Sequence, residues 1–244
     1  VLYEIAKPFV MGVVRVLWNP TISGAENIPD HGPVILASNH QAYSDTVFLP
    51  GQVRRSVHFL GKSDIFVARS PLTRVVAAVM RGLRVMPVDR SGGSASRSAI
   101  EAGLAVLEQG EVLGIYPEGT RSPDGRLYRG KTGVARFALA TGAPVIPVAM
   151  LGAFEAQRGR KIFPHRTPRI HAVVGEPLAV AEIVAALEGA EEAKVLRAVT
   201  DALMDRIQSL SGQERSDEYA SVQKKRMRQA QGRPAGSPES DAAV

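Results

Sequence analysis

The sequence predicts an α/β fold: a mostly parallel or mixed buried sheet flanked by helices, with an amphipathic helix at the N-terminus. Three observations carry this reading. Short apolar runs of strand length, such as Val34 to Ala37, Val112 to Tyr116 and Val145 to Met150, show no alternation of polar and apolar residues, as expected of strands buried on both faces. Segments with helical spacing lie between them, the pattern of a sheet with crossover helices. Several of the runs end in polar clusters, and chemistry in open α/β sheets gathers at the carboxyl ends of strands.

The elements follow in order. From Val1 to Trp18, Ile5, Phe9, Val13, Val14 and Leu17 recur at helical spacing, interrupted by Glu4, Lys7 and Arg15. Such a helix suits a membrane surface or the protein's own core, and a membrane-surface helix over residues 1–20 is the expectation. Asn19-Pro20 ends it. Ile22 to Ile28 reads as a short strand and turn, and Pro29 to Pro33 as a loop into the strand at Val34. Val57 to Gly61 is the next strand. Pro71 suits the first turn of a helix to about Met80, ended by Gly82. Val85 to Val88 is a strand. Ser94 or Ser96 can cap a helix with Ile100, Leu104 and Leu107 on one face, stopped by Gly110. The run Val112 to Tyr116 is followed by a turn at Pro123-Asp124-Gly125. Lys131 opens a helix through Ala140, and Gly142 stops it. Val145 to Met150 and Ile170 to Val174 are strands. Glu191 to Leu210 is a helix with Val195, Leu196, Val199, Leu203 and Ile207 on one stripe. These elements define a domain over 21–210. The polar stretch 211–244 is expected to be a disordered tail, with a basic knot at Lys224, Lys225, Arg226 and Arg228.

Composition narrows the function. Hydrophobic residues make up 45% of the 244, enough for a sizeable core. There is no Cys, which excludes disulfides, thiolate metal sites and an acyl-cysteine. The formal net charge of +6 favours anionic partners: a phosphorylated substrate, an anionic membrane surface or nucleic acid. Aromatics at 5% argue against a stacking platform for single-stranded nucleic acid. No apolar run reaches the ~18–20 residues of a spanning helix. A peripheral or monotopic place on the cytoplasmic side of the cell membrane is the expectation. His31, His58, His165 and His171 show no ligand spacing, so no metal site is expected.

The candidate chemistry starts at Ser38-Asn39-His40, where a strand ends, with Asp45 five residues beyond the histidine. On a continuous helix that separation puts the two side chains about 140° apart. Pairing therefore requires His40 in the loop and Asp45 in the first helical turn, with Ser44 near the cap. So arranged they form a base and its orienting carboxylate. Other strand ends carry Lys62, Asp89-Arg90 and Glu118-Gly119-Thr120-Arg121. A base beside guanidinium and ammonium groups is what a phosphate-bearing acceptor alcohol needs.

Four blocks, in order, give the sequence its resemblance to a family. They are Asn39-His40-Gln41-Ala42-Tyr43-Ser44-Asp45, Val85-Met86-Pro87-Val88-Asp89-Arg90, Tyr116-Pro117-Glu118-Gly119-Thr120-Arg121-Ser122 and Ala143-Pro144-Val145-Ile146-Pro147-Val148. Together they resemble the lysophosphatidate (1-acylglycerol-3-phosphate) acyltransferases and the wider glycerolipid acyltransferases. The resemblance implies transfer of a fatty acyl group from acyl-CoA or acyl carrier protein to a lysophospholipid hydroxyl, in phosphatidic acid and phospholipid biosynthesis, without a cofactor. It implies His40 as general base with Asp45 orienting it. It puts Glu118 and Gly119 at the acceptor site; Thr120 beside them, and Arg90, Arg121 and Lys62 as cations for the acceptor phosphate, complete the expected substrate-binding residues. The sequence departs from the family in three places: Ala42 stands where Ser is common, Arg84 where Gly is common, and Tyr116 where Phe is usual.

Other readings explain less. A lysophospholipid of another kind, an amino-acid lipid or a glycolipid could serve as acceptor in the same chemistry. A hydrolase lacks its Gly-x-Ser-x-Gly elbow. A non-enzymatic membrane binder leaves Glu118, Thr120 and Arg121 unexplained. Nucleic-acid binding lacks a reading motif.

Overall fold

The computed structural model describes residues 2–62, 66–67, 74, 77–78, 81–82, 84–88, 93–159 and 163–230, without the side chains of 2–7, 9–10, 62, 87–88 and 93–97. The strands are β1 (Thr21–Ser23), β2 (Val34–Ser38), β3 (Val57–Lys62), β4 (Val85–Val88), β5 (Val112–Ile115), β6 (Val145–Leu151) and β7 (His171–Val174). They form one sheet in the order β1-β7-β6-β2-β5-β3-β4. Strands β6, β2, β5, β3 and β4 run parallel. β7 pairs antiparallel to β6, and β1 pairs parallel to β7. The sheet is therefore mixed, as the sequence allowed.

The central strands are apolar throughout because both faces are covered. Every residue of β2 is buried. On one face, α1 (Leu2–Trp18) and α2 (Asp45–Gln52) pack Met11, Val14, Phe48 and Leu49 against Leu36, Ile146 and Val148. On the other, α3 (Gly93–Glu108), α4 (Gly133–Thr141) and α7 (Glu192–Ser211) pack Leu107, Phe137, Leu203 and Ile207 against Ile35, Leu113 and Val145. Two short helices, α5 (Ala153–Ala156) and α6 (Val180–Ala185), escape the sequence reading because neither is long enough to show a period.

Several elements differ from expectation. The short strand and turn expected over Ile22 to Ile28 are β1 at Thr21–Ser23 and a 3-10 turn at Ala25–Asn27, so the strand starts one residue earlier. In α3 the helix begins at Gly93, ahead of the proposed serine caps. Of the helix expected from Pro71, Arg74, Ala77, Ala78, Arg81 and Gly82 are helical, and the other residues lie outside the described ones. Helix α1 lays Met11 and Val14 on the protein's own core, while Val13 and Val16 stay exposed. Its end is pinned where Trp18 Nε1 donates to the Pro164 carbonyl at 2.7 Å. Arg84 adopts φ 56°, a left-handed conformation that glycine takes more readily. Its guanidinium meets His58 Nε2 at 3.2 Å.

The largest correction concerns the tail. The stretch 211–244 is expected to be a disordered tail, yet Ser211 closes α7, 214–218 run along Leu127 to Arg129 and α8 (Ala220–Ala230) follows. The Leu127 and Arg129 amides donate to the Glu214 and Glu218 carbonyls, and the Ser216 amide donates back to the Leu127 carbonyl. A polar composition hides this segment because its anchoring is mostly backbone hydrogen bonding, which no side-chain pattern records. Residues 231–244 lie outside the described ones.

One glycine links the sheet to the site. Gly114 pairs with Phe59, and a Cβ added there would come within 2.5 Å of the Phe59 ring. That ring stacks on Tyr116 at 5.1 Å between centroids. Gly114→Ala is expected to destabilise the protein by about 1–3 kcal/mol through overpacking. Denaturant unfolding measures it, and an unchanged midpoint would show that the ring has room to shift.

Candidate active site

Strand register brings the two principal motifs together. Ala37 of β2 pairs with Ile115 of the neighbouring parallel β5. His40 and Glu118 each lie three residues beyond that pair, so both emerge at the same sheet edge. The His40 amide donates to Glu118 Oε1 at 3.0 Å. On the other side of β2, Asn39 continues the ladder with its side chain. Its Oδ1 accepts from the Met150 amide at 2.7 Å, and its Nδ2 donates to the Met150 carbonyl at 3.2 Å.

Asp45 opens α2, with Ser44 at the N-cap. Its carboxylate turns back over the loop. Oδ2 accepts from the Gln41 amide at 2.6 Å, the Ala42 amide at 2.8 Å and His40 Nδ1 at 3.0 Å. The ring and carboxylate are thus paired, in the loop-and-first-turn arrangement their spacing requires. The Ser44 amide donates to Gln157 Oε1 at 2.8 Å, and the His40 carbonyl accepts from the Ser122 amide at 2.7 Å. With these bonds the loop has little freedom to move its imidazole.

The His40 ring also stacks on Tyr116, with centroids 3.8 Å apart and planes 10° apart. The Tyr116 hydroxyl lies 3.4 Å from Thr46 Oγ1. This residue was noted in the sequence only as a departure from Phe; its position just before Pro117-Glu118 was the available signal. Asp45 is fully buried, whereas the His40 side chain is 15% exposed, so the ring alone reaches the surface. Burial lowers the His40 pKa below the ordinary 6.5, opposed by its bond and attraction to Asp45 and reinforced by the charges of Arg121 and Lys224. The ring therefore stays neutral, as a base must.

Glu118, expected at the acceptor, binds the protein's own backbone instead. Its second oxygen accepts from the Tyr128 amide at 2.9 Å, and the residue is 1% exposed. Burial pushes its carboxyl up to about 8, against the two amide donors that pull it down. Gly119 turns at φ 73°, where a Cβ would meet the Lys131 side chain at 3.0 Å. Only glycine keeps this turn unstrained while Lys131 crosses it. Arg121 stacks over Tyr43, its guanidinium carbon 3.5 Å from the ring centroid, and donates to the Gly159 carbonyl at 3.4 Å. Thr120 accepts from Lys224 Nζ at 2.7 Å, a contact no sequence period could reveal. Lys62 ends β3 at the same sheet edge, beside β5, but its side chain lies outside the described residues, as does Arg90. Among the described residues no group of three or more His, Cys, Asp and Glu could hold a metal ion.

A mixed, mostly parallel sheet carrying a paired His and Asp at the carboxyl edge of its strands, beside a cationic loop, is an α/β arrangement that can support acid–base chemistry. A family model described as Acyltransferase matches residues 19–151, more than half of the chain, and the chain belongs to that family. It is 29% identical over 187 residues to the 1-acyl-sn-glycerol-3-phosphate acyltransferase of Bacillus subtilis, covering 76% of this chain and 84% of that one. It is 30% identical over 149 residues to the chloroplastic 1-acyl-sn-glycerol-3-phosphate acyltransferase BAT2 of Brassica napus, a match spanning 61% of this chain and only 42% of that longer protein. Among solved structures, the 1-acyl-sn-glycerophosphate acyltransferase PlsC from Thermotoga maritima shares the fold at a TM-score of 0.58 and 24% identity, covering 85% of this chain and 82% of that one. The resemblance drawn from the four motif blocks is borne out by this family match.

Glu118→Gln tests the loop clamp. An amide nitrogen cannot accept, so either the His40 or the Tyr128 amide would face a donor. Above about pH 8, where the carboxyl is ionised and both oxygens accept, a loss of about 1–3 kcal/mol in unfolding free energy is expected. A variant as stable as the parent would show that the buried carboxylate is not what joins the two motif loops.

Proposed function

We propose that this chain is a 1-acylglycerol-3-phosphate O-acyltransferase, moving a fatty acyl group from acyl-CoA or acyl carrier protein to the free hydroxyl of 1-acylglycerol 3-phosphate to give phosphatidic acid. The observation that carries this reading is the His40 Nδ1–Asp45 Oδ2 contact of 3.0 Å at the edge of the sheet. Asp45 Oδ2 accepts a hydrogen bond from Nδ1–H, so the neutral ring carries its lone pair on Nε2.

The reaction is a direct transfer. Nε2 of His40 takes the proton of the acceptor hydroxyl as its oxygen attacks the thioester carbon. The tetrahedral intermediate collapses with cleavage of the carbon–sulfur bond, and the imidazolium returns its proton to the leaving thiolate. Asp45 stabilises the imidazolium between the two steps. The sequence has no Cys, so no acyl-cysteine intervenes. General-base action contributes about 10²–10⁴ in rate, and holding two substrates together about 7–11 kcal/mol. Tyr116 and Glu118 act on the imidazole from behind, by stacking on the ring and by fixing the loop. In this reading Arg121, with Lys62 and Arg90, receives the acceptor phosphate.

The acceptor is a lipid, and the proposed seat is peripheral, on an anionic membrane surface. No helix among the described residues is long and apolar enough to cross a membrane. Val16 of α1 is 81% exposed and Phe163 is 70% exposed. Phe163 stacks on Trp18 at 6.5 Å, so these apolar side chains belong to one end of the molecule. They support contact with lipid there.

Acyl transfer to 1-oleoylglycerol 3-phosphate from oleoyl-CoA and from oleoyl-acyl carrier protein tests the reading. His40→Ala is expected to lower kcat by at least about 10²–10⁴-fold in a folded protein. Retained turnover would remove His40 from the chemistry. In the parent, kcat/KM falls on the acid side as His40 protonates. Because its pKa is depressed, that limb lies below 6.5; a limb above 6.5 would contradict the assignment. Arg121→Ala is expected to raise the acceptor's KM about ten-fold with little change in the donor's. Equal rises in both would make Arg121 structural.

A further inference from the structure

The C-terminal segment lies outside the matched residues 19–151, yet it reaches both motif loops. Gln213, the second residue after α7, accepts from Asn39 Nδ2 at 2.6 Å and donates to the Gly125 carbonyl at 2.6 Å. It thereby joins the residue before His40 to the turn that follows Ser122. The next residues pair with Leu127 and Arg129 through backbone bonds of 2.8–2.9 Å. Ala220 is fully buried, and Arg129 lies over the Tyr219 ring at 5.5 Å. Helix α8 therefore starts from a fixed base, and one turn along it Lys224 meets Thr120.

This placement concentrates positive charge on one residue of the motif loop. Thr120 is followed in the chain by Arg121 and is hydrogen-bonded by Lys224. The ammonium is close enough to the base for its charge to act on both His40 and Glu118. A phosphomonoester carries nearly two negative charges and three acceptor oxygens. An ammonium is a compact donor of three hydrogen bonds, and a guanidinium is a planar fork, so the two complement each other around one phosphate.

We propose that Lys224 is an acceptor-binding residue, which with Arg121 receives the phosphate of the acceptor, and that the segment 213–224 is part of the active site. The proposal rests on the acyl-transfer reading above and extends it to a part of the chain beyond the four motif blocks. The basic knot of the C-terminus then has a division of labour. Lys224 faces the site, while Arg226 pairs with Glu218 at 2.6 Å on the exposed side.

The test uses the full chain, with 1-oleoylglycerol 3-phosphate as acceptor and oleoyl-CoA as donor. Lys224→Ala is expected to raise the acceptor's KM about ten-fold, the cost of one lost charge-assisted hydrogen bond, while the donor's KM stays within about two-fold. Removing the ammonium also relieves its repulsion of the His40 imidazolium, so the acid limb of kcat/KM moves to higher pH. Lys224→Arg keeps the charge and is expected to restore both the acceptor's KM and the limb. Circular dichroism confirms that both variants keep their helices, which separates loss of charge from loss of fold. If the parent is active and Lys224→Ala matches it in acceptor KM and acid limb, this proposal fails and the acyl-transfer reading stands. An Arg variant as defective as the Ala variant also overturns it, because shape and not charge would then matter. A parent inert towards this acceptor overturns both.

Discussion

One buried oxygen organises the site. Asp45 Oδ2 accepts two backbone amides and the imidazole Nδ1, all within 3.0 Å, on a residue with no solvent exposure. A carboxylate so deeply placed is costly without donors, and three donors offset that cost. The same three bonds shape the loop. Because the amides of Gln41 and Ala42 converge on the oxygen, the chain must turn between β2 and α2, and the turn carries His40 back over the carboxylate. Local folding and tautomer selection are therefore a single event.

The sheet supplies the second constraint. Parallel pairing of β2 with β5 fixes how far each motif loop extends beyond its strand. Glu118 then bridges the His40 and Tyr128 amides, so a carboxylate from one loop becomes part of the other's backbone network. Stacking from Phe59 through Tyr116 to His40 carries sheet packing out to the imidazole. An imidazole held by packing and hydrogen bonds in this way need not reorganise as charge develops, which is the general advantage of preorganisation.

Much of this was legible in the sequence, for particular reasons. β2, β5 and β6 declared themselves because strands buried on both faces are apolar without interruption. His40 and Asp45 could be paired on paper because helical geometry forbids every arrangement but loop plus first turn. Glu118 was legible as a site residue but not in its contacts: nothing in its spacing tells whether a carboxylate faces a ligand or two amides from distant loops. Tyr116 was visible only as an unusual residue. Gln157 and Gln213 were silent and Lys224 was visible only as part of a basic knot, since each acts across more than a hundred residues of chain through a single polar group. The segment 213–230 was read as a solvated tail because composition reports the absence of a core, and this segment needs none.

The central claim is that burial keeps His40 neutral while Asp45 fixes its proton on Nδ1 and leaves its lone pair on Nε2. Nitrogen NMR of the full chain with isotope-labelled histidine, the His40 signal assigned by its loss in His40→Ala, tests this most directly. The account predicts a protonated Nδ1, an unprotonated Nε2 and a titration midpoint below 6.5. A ring carrying its proton on Nε2, or titrating above 6.5, would contradict it.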